Sequence, residues 1–121
     1  MMAAPAEAQD LVDAGWGVVA QVIDGDTVIL EQGLEVRLVG IQAPKLALGR
    51  AGFDQQPLGP EAKAVLEAMI LGKRVRLSFG GLQIDRYGRA LAHLFVDGAA
   101  GEIWVQGEMV RQGLARVYSF Q

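Results

Sequence analysis

Residues 22–45 read VIDGDTVILEQGLEVRLVGIQAPK, and this stretch decides the fold. Apolar positions alternate up to an acidic turn at Asp24, Gly25 and Asp26, return through Val28 to Leu30, turn at Gly33 and go out again through Val36 to Ile41. The pattern predicts a three-stranded antiparallel meander. Asp-Gly between alternating apolar runs is a strong hairpin signal, the glycine supplying a positive φ and the aspartate tolerating turn geometry. On that ground alone the two carboxylates are turn chemistry. Arg37 adds another demand, because a guanidinium among Val36, Leu38, Val39 and Ile41 is costly unless it meets an anion.

Outward from this stretch, Gly17 to Ile23 reads as a first strand, with Trp16 expected to cover one end of the core. Downstream, Leu46 to Pro57 is a glycine-containing loop of a length that in compact domains is usually functional or mobile. A helix is expected from Pro60 to Leu71. Proline suits its first position and Glu61 its first turn, while Ala62, Val65, Leu66, Met69 and Ile70 make one apolar stripe. Lys63 and Glu67 face out, and Gly72 caps the end. Lys73 to Phe79 alternates as a half-buried strand, Gly80 and Gly81 open a turn to Asp85, and Arg89 to Val96 is a further strand. His93, the single histidine, is assigned no ligand role. After a turn at Asp97 to Gly101, Trp104 to Gln112 reads as a second helix, weakened by Gly107 and closed by Gly113. Five strands with a helix between the third and fourth predict a small closed antiparallel sheet, which composition leaves open between sandwich and barrel.

At 121 residues the chain is one domain. A leader occupies 1–15 and the folded domain 16–121. No apolar window has the length of a membrane span, and cysteine is absent, which removes disulfides and thiolate metal sites. The formal charge is −3, but Glu7, Asp10 and Asp13 lie in the leader, so the remainder is about neutral. Nucleic-acid binding therefore requires a local basic patch rather than a basic domain. The leader lacks the apolar core of a signal peptide, although Ala6-Glu7-Ala8 resembles the small-residue tail of one. A secreted or periplasmic protein is expected, with a cytoplasmic one as the alternative.

Taken together, Ile23 to Thr27 (IDGDT), Val36 to Pro44 (VRLVGIQAP), Asp85 to Arg89 (DRYGR) and Gly113 to Tyr118 (GLARVY) resemble the staphylococcal nuclease (thermonuclease) family in order and spacing. The resemblance runs from about Gly17 to Tyr118. It implies a mainly β, α+β domain: a five-stranded antiparallel OB-fold barrel with two helices, whose face and loops commonly bind oligonucleotides. It also implies phosphodiester hydrolysis, with Arg37 and Arg89 as the catalytic arginines that clamp phosphoryl oxygens. Arg86 and Tyr87 match positions flanking the terminal phosphate, and Asp26 matches a metal-binding aspartate. Two departures stand out, because Gln42 replaces a metal-binding aspartate and Lys45 replaces the catalytic glutamate.

These departures bear on chemistry. Calcium takes about six to eight oxygens and gains affinity with each carboxylate, yet one aspartate against one lysine leaves the local charge near zero. The water-activating carboxylate has gone as well, and a protonated lysine is no base. Lys45 can instead bring its ammonium towards Asp26 and join the two arginines in a metal-free anion site. Three readings follow. The first is a phosphate-, nucleotide- or nucleic-acid-binding domain that has lost the standard metal-dependent hydrolysis and needs no cofactor. The second is an active nuclease using calcium held differently, or another base such as Glu61 or Asp54. The third is a structural or interaction module in which Arg37 pairs with Asp26 and Arg89 with Asp85.

Overall fold

A computed structural model describes residues 12–44, 58–79 and 84–117. Strand β1 (Val12–Asp24) pairs antiparallel with β2 (Thr27–Leu30), and β2 with β3 (Glu35–Leu38). The short β4 (Ile41–Gln42) leads towards helix α1 (Gly59–Ile70), which is followed by β5 (Arg74–Phe79) and β6 (Ala90–Gly98). β5 pairs antiparallel with both β1 and β6. A parallel pairing of β3 with β6, Val36 opposite Ala90 and Leu38 opposite Ala92, closes the barrel in the order β1-β2-β3-β6-β5. The OB-fold expectation holds, with a closing seam that is parallel where every other barrel pairing is antiparallel.

β6 is longer than its contact with β3. Its second half takes another partner, β7 (Gly101–Trp104), which leads directly into α2 (Val105–Arg111). The second helix thus begins after Trp104, which belongs to a strand. Where β3 leaves β6, the buried Gln106 of α2 fills the gap. Its Oε1 accepts the Leu94 N–H at 3.1 Å, and its Nε2 donates to the carbonyls of Ala92 at 3.0 Å and Val39 at 3.1 Å. A side-chain amide stands in for a missing strand edge, so these buried backbone groups stay satisfied.

The third strand does not run through to Ile41. It stops at Leu38, and Gly40 at φ 87° turns the chain into β4, which pairs with β8 (Arg116–Val117). Ala62, Leu66 and Ile70 of α1 are fully buried against the barrel, with Val65 and Met69 packed beside them. Gly72 at φ 76° follows the helix as expected. Two expectations need correction. Trp16 is 45% exposed on the outside of β1 with the Arg74 guanidinium over its ring, so it covers no core. Ser78, which the alternation expected from Lys73 to Phe79 turns outward, is buried.

Candidate functional site

The turn between β1 and β2 is shaped by Asp24, whose Oδ1 accepts the Asp26 N–H at 3.1 Å. Gly25 is not at positive φ, contrary to the hairpin expectation. Its role is close approach: a Cβ there would lie 2.6 Å from the Ala43 Cβ and 2.8 Å from the Ala62 Cβ. The turn is therefore pressed between β4 and the first turn of α1.

This packing buries Asp26 completely. Its Oδ1 accepts the Thr27 hydroxyl at 2.9 Å, its Oδ2 accepts the Ala43 N–H at 2.8 Å, and Arg37 Nη1 stands 3.5 Å from Oδ2. Arg37, opposite Thr27 in the β2–β3 register, also donates from Nη1 to the Leu38 carbonyl at 2.7 Å. Among the described residues the polar contacts of Arg37 run through Nη1 alone. Nε and Nη2 are left without a polar partner among those residues.

Asp85 organises the second arginine. Its Oδ1 accepts the backbone N–H groups of Tyr87 and Arg89, each at 2.9 Å, and its Oδ2 accepts Arg89 Nε at 2.8 Å. Desolvation opposes ionisation of Asp85, but the hydrogen bonds from Arg89 and Tyr87 outweigh it and hold the carboxyl below its ordinary value. Both terminal nitrogens of Arg89 are left without a polar partner among the described residues. Tyr87 is 70% exposed, with the guanidinium carbons of Arg86 and Arg89 at 5.3 and 5.4 Å from its ring centre.

The barrel closure relates the two arginines. Val36 and Ala90 are register partners facing the core, so by strand alternation Arg37, one residue after Val36, and Arg89, one residue before Ala90, flank that pair on the outer side. Lys45 lies outside the described residues, as do Asp54 and Tyr118. Glu61 is exposed in the first turn of α1.

Sequence reasoning missed Arg116. The β4–β8 pairing sets it opposite Gln42, and its Nη2 donates to Gln42 Oε1 at 3.0 Å. A groove lined by Gln42, Pro44, Leu114 and Arg116 opens beside this contact. The arginine was visible inside GLARVY, but only the pairing of β4 with β8 gives it a partner. Gln106, also missed, is a glutamine on the apolar stripe shared with Met109 and Val110.

The donor set fits a calcium ion poorly. Asp26 already accepts bonds from two protein donors beside an arginine, and the Gln42 oxygen faces a guanidinium. Among the described residues no three His, Cys, Asp or Glu side chains cluster to hold a metal.

The family model for staphylococcal nuclease homologues matches residues 35–121. The chain belongs to that family. It is 32% identical to a thermonuclease of Staphylococcus intermedius over 102 residues, covering 82% of this chain and 57% of that protein. Against a probable endonuclease LCL3 of Komagataella phaffii it is 34% identical over 107 residues, or 87% of this chain and 45% of the other. Against the endonuclease Htp3 of Saprolegnia parasitica it is 32% identical over 121 residues, 84% and 55% of the two chains. The chain spans about half the length of these curated relatives.

Proposed function

We propose that this staphylococcal nuclease homologue binds the phosphates of nucleotides or single-stranded nucleic acid through Arg37 and Arg89, without a divalent metal, and has lost the family's metal-assisted hydrolysis. The observation that carries the reading is the partial engagement of both arginines. Arg37 is oriented through Nη1 and Arg89 through Nε, each by an internal carboxylate, which leaves an Nε/Nη2 edge on one and an Nη1/Nη2 edge on the other. Such an edge offers two parallel N–H groups to a phosphate. A purely structural ion pair explains the engaged nitrogen but not a free edge on both.

The donor set supports the loss of metal chemistry. Calcium favours sites rich in anionic oxygen, whereas here Arg37 lies 3.5 Å from the Asp26 carboxylate and Arg116 is bonded to Gln42. Lys45, next to Pro44, adds a further cation in sequence. With no carboxylate at the catalytic glutamate position, water activation has no assigned base. The chain's own contribution is to orient a phosphate and neutralise it.

A second reading keeps hydrolysis, with Glu61 as the base. It is favoured by the packing of Ala62 against Gly25, because Glu61, an exposed carboxylate in the first turn of α1, is the residue before that contact. One assay separates the readings: digestion of single-stranded DNA and RNA with and without calcium, run beside Arg37→Ala and Glu61→Gln. The proposal expects no cleavage above background in any condition. Cleavage that depends on Arg37 and Glu61 would establish the second reading instead.

A further inference from the structure

The outer face of the sheet formed by β1, β5, β6 and β7 carries a row of flat side chains unused by the phosphate site. Trp16, Arg76, Phe95 and Trp104 are successive register partners across these four strands, so they share one face and span about 14 Å. Trp16 is 45% and Trp104 48% exposed, and they are the chain's two tryptophans. The planes between them are fixed. The Arg76 guanidinium carbon lies 4.3 Å from the Phe95 ring centre and is held by Glu102 through two bonds of 3.0 Å. The Arg74 guanidinium carbon lies 4.3 Å from the ring centre of Trp16, and Trp104 Nε1 donates to His93 Nδ1 at 3.1 Å.

We propose that this face is a base-stacking platform for single-stranded nucleic acid, continuous with the phosphate site. The inference rests on the phosphate-binding reading for its starting point. Aromatic rings stack on any base, and arginine beside them adds a cation for the backbone. Continuity comes from β6. Leu91, His93 and Phe95 are alternate residues on its outer side, Arg89 immediately precedes its first residue, and the six steps from Arg89 to Phe95 cover about 20 Å. From Phe95 the row leads across Arg76 to Trp16, beside Arg74 and Lys73.

Charge sets the direction. The β6–β7 hairpin carries Asp97 opposite Glu102, which repels a phosphate backbone, whereas the β1–β5 side carries Arg74 and Lys73. A strand anchored at Arg89 therefore passes Trp104 and turns towards Trp16. The path is roughly 30 Å long, enough for about five nucleotides, within the range of site sizes of OB-fold proteins.

Fluorescein-labelled oligothymidylates of increasing length, titrated in EDTA and read by anisotropy and by quenching of tryptophan emission, test the platform. Affinity should climb with length and level off near five or six nucleotides, with quenching of both tryptophans. Trp16→Leu and Trp104→Leu should each weaken hexanucleotide binding about tenfold or more, while Trp16→Phe and Trp104→Phe retain most of it. A nucleoside bisphosphate, too short to reach the row, should bind these variants as it binds the parent. If bisphosphate binding fails while the hexanucleotide still depends on the tryptophans, the platform stands and the arginine site falls. A hexanucleotide that binds no tighter than a dinucleotide, or that ignores both leucine variants, overturns the platform. So does a concentration-dependent dimer dispersed by Trp104→Leu, which would assign the face to a second copy of the chain.

Discussion

The carboxylate of Asp26 keeps its place in the motif while its bonding ties together the turn, β2 and β4. Thr27, Ala43 and Arg37 meet it in a fully buried position, so its removal leaves the part-buried Arg37 guanidinium without its internal carboxylate and the buried Ala43 N–H without its acceptor. Asp26→Ala is expected to cost about 3 to 5 kcal/mol, measured by denaturant unfolding. A loss below about 1 kcal/mol would show that the carboxylate is not a structural tie. Arg116 is exposed, so Arg116→Ala should alter stability by no more than about 1 kcal/mol while freeing the Gln42 amide. His93 provides a pH readout at the same scale. Burial holds its pKa below 6.5, so the fold favours the neutral ring, whose Nδ1 accepts the Trp104 N–H. That contribution is present above the unfolded pKa and is lost as pH falls through the lower folded value. In a Trp16→Phe background, Trp104 emission should therefore change at a midpoint below pH 6.5, and His93→Phe should abolish the change. A midpoint above 6.5 would contradict the assigned environment.

At the scale of elements, α1 was the most legible part of the chain because one apolar stripe is enough to specify a helix face. Leu66, at its centre, is fully buried, and Leu66→Ala should cost about 2 to 5 kcal/mol. The β3–β4 break was hidden because Gly40 interrupts an unbroken apolar run, and apolarity does not distinguish a bent chain from a straight one. β7 was hidden for the opposite reason: its four residues merge into α2 with no breaker between Trp104 and Val105. The acidic turn was located correctly, but the need for Gly25 arises from Ala43 and Ala62, distant in sequence, rather than from turn geometry. Gly25→Ala should thus destabilise by about 1 to 3 kcal/mol, since neither neighbouring Cβ can rotate away. The Asp85 turn adds an acid dependence. Its lowered folded pKa contributes stability above the unfolded value near 3.8, lost as pH falls through the folded one. Asp85→Asn should flatten that part of the stability profile.

Across the whole molecule, barrel closure creates the candidate site. Arg37 and Arg89 are far apart in sequence, and the parallel β3–β6 seam sets one on each side of the Val36–Ala90 pair, which strand alternation alone does not reveal. The ordered motifs singled out both residues as candidates, because a family's spacing encodes a topology that periodicity cannot. The Gln42–Arg116 contact was out of reach for the same reason, since it depends on β4 meeting β8. If the departures at Gln42 and Lys45 are what remove the metal, Gln42→Asp with Lys45→Glu should restore measurable calcium binding by calorimetry, because Asp24, Asp26 and both arginines remain. Nuclease activity is expected to return only in part, since catalytic groups must be held to within about half an ångström. The most direct test of a metal-free phosphate site is calorimetric titration of a nucleoside bisphosphate into the wild-type protein, once in EDTA and once in millimolar calcium. Equal affinity in the two buffers, lost in Arg89→Ala, is the expected result; binding that appears only with calcium would contradict it.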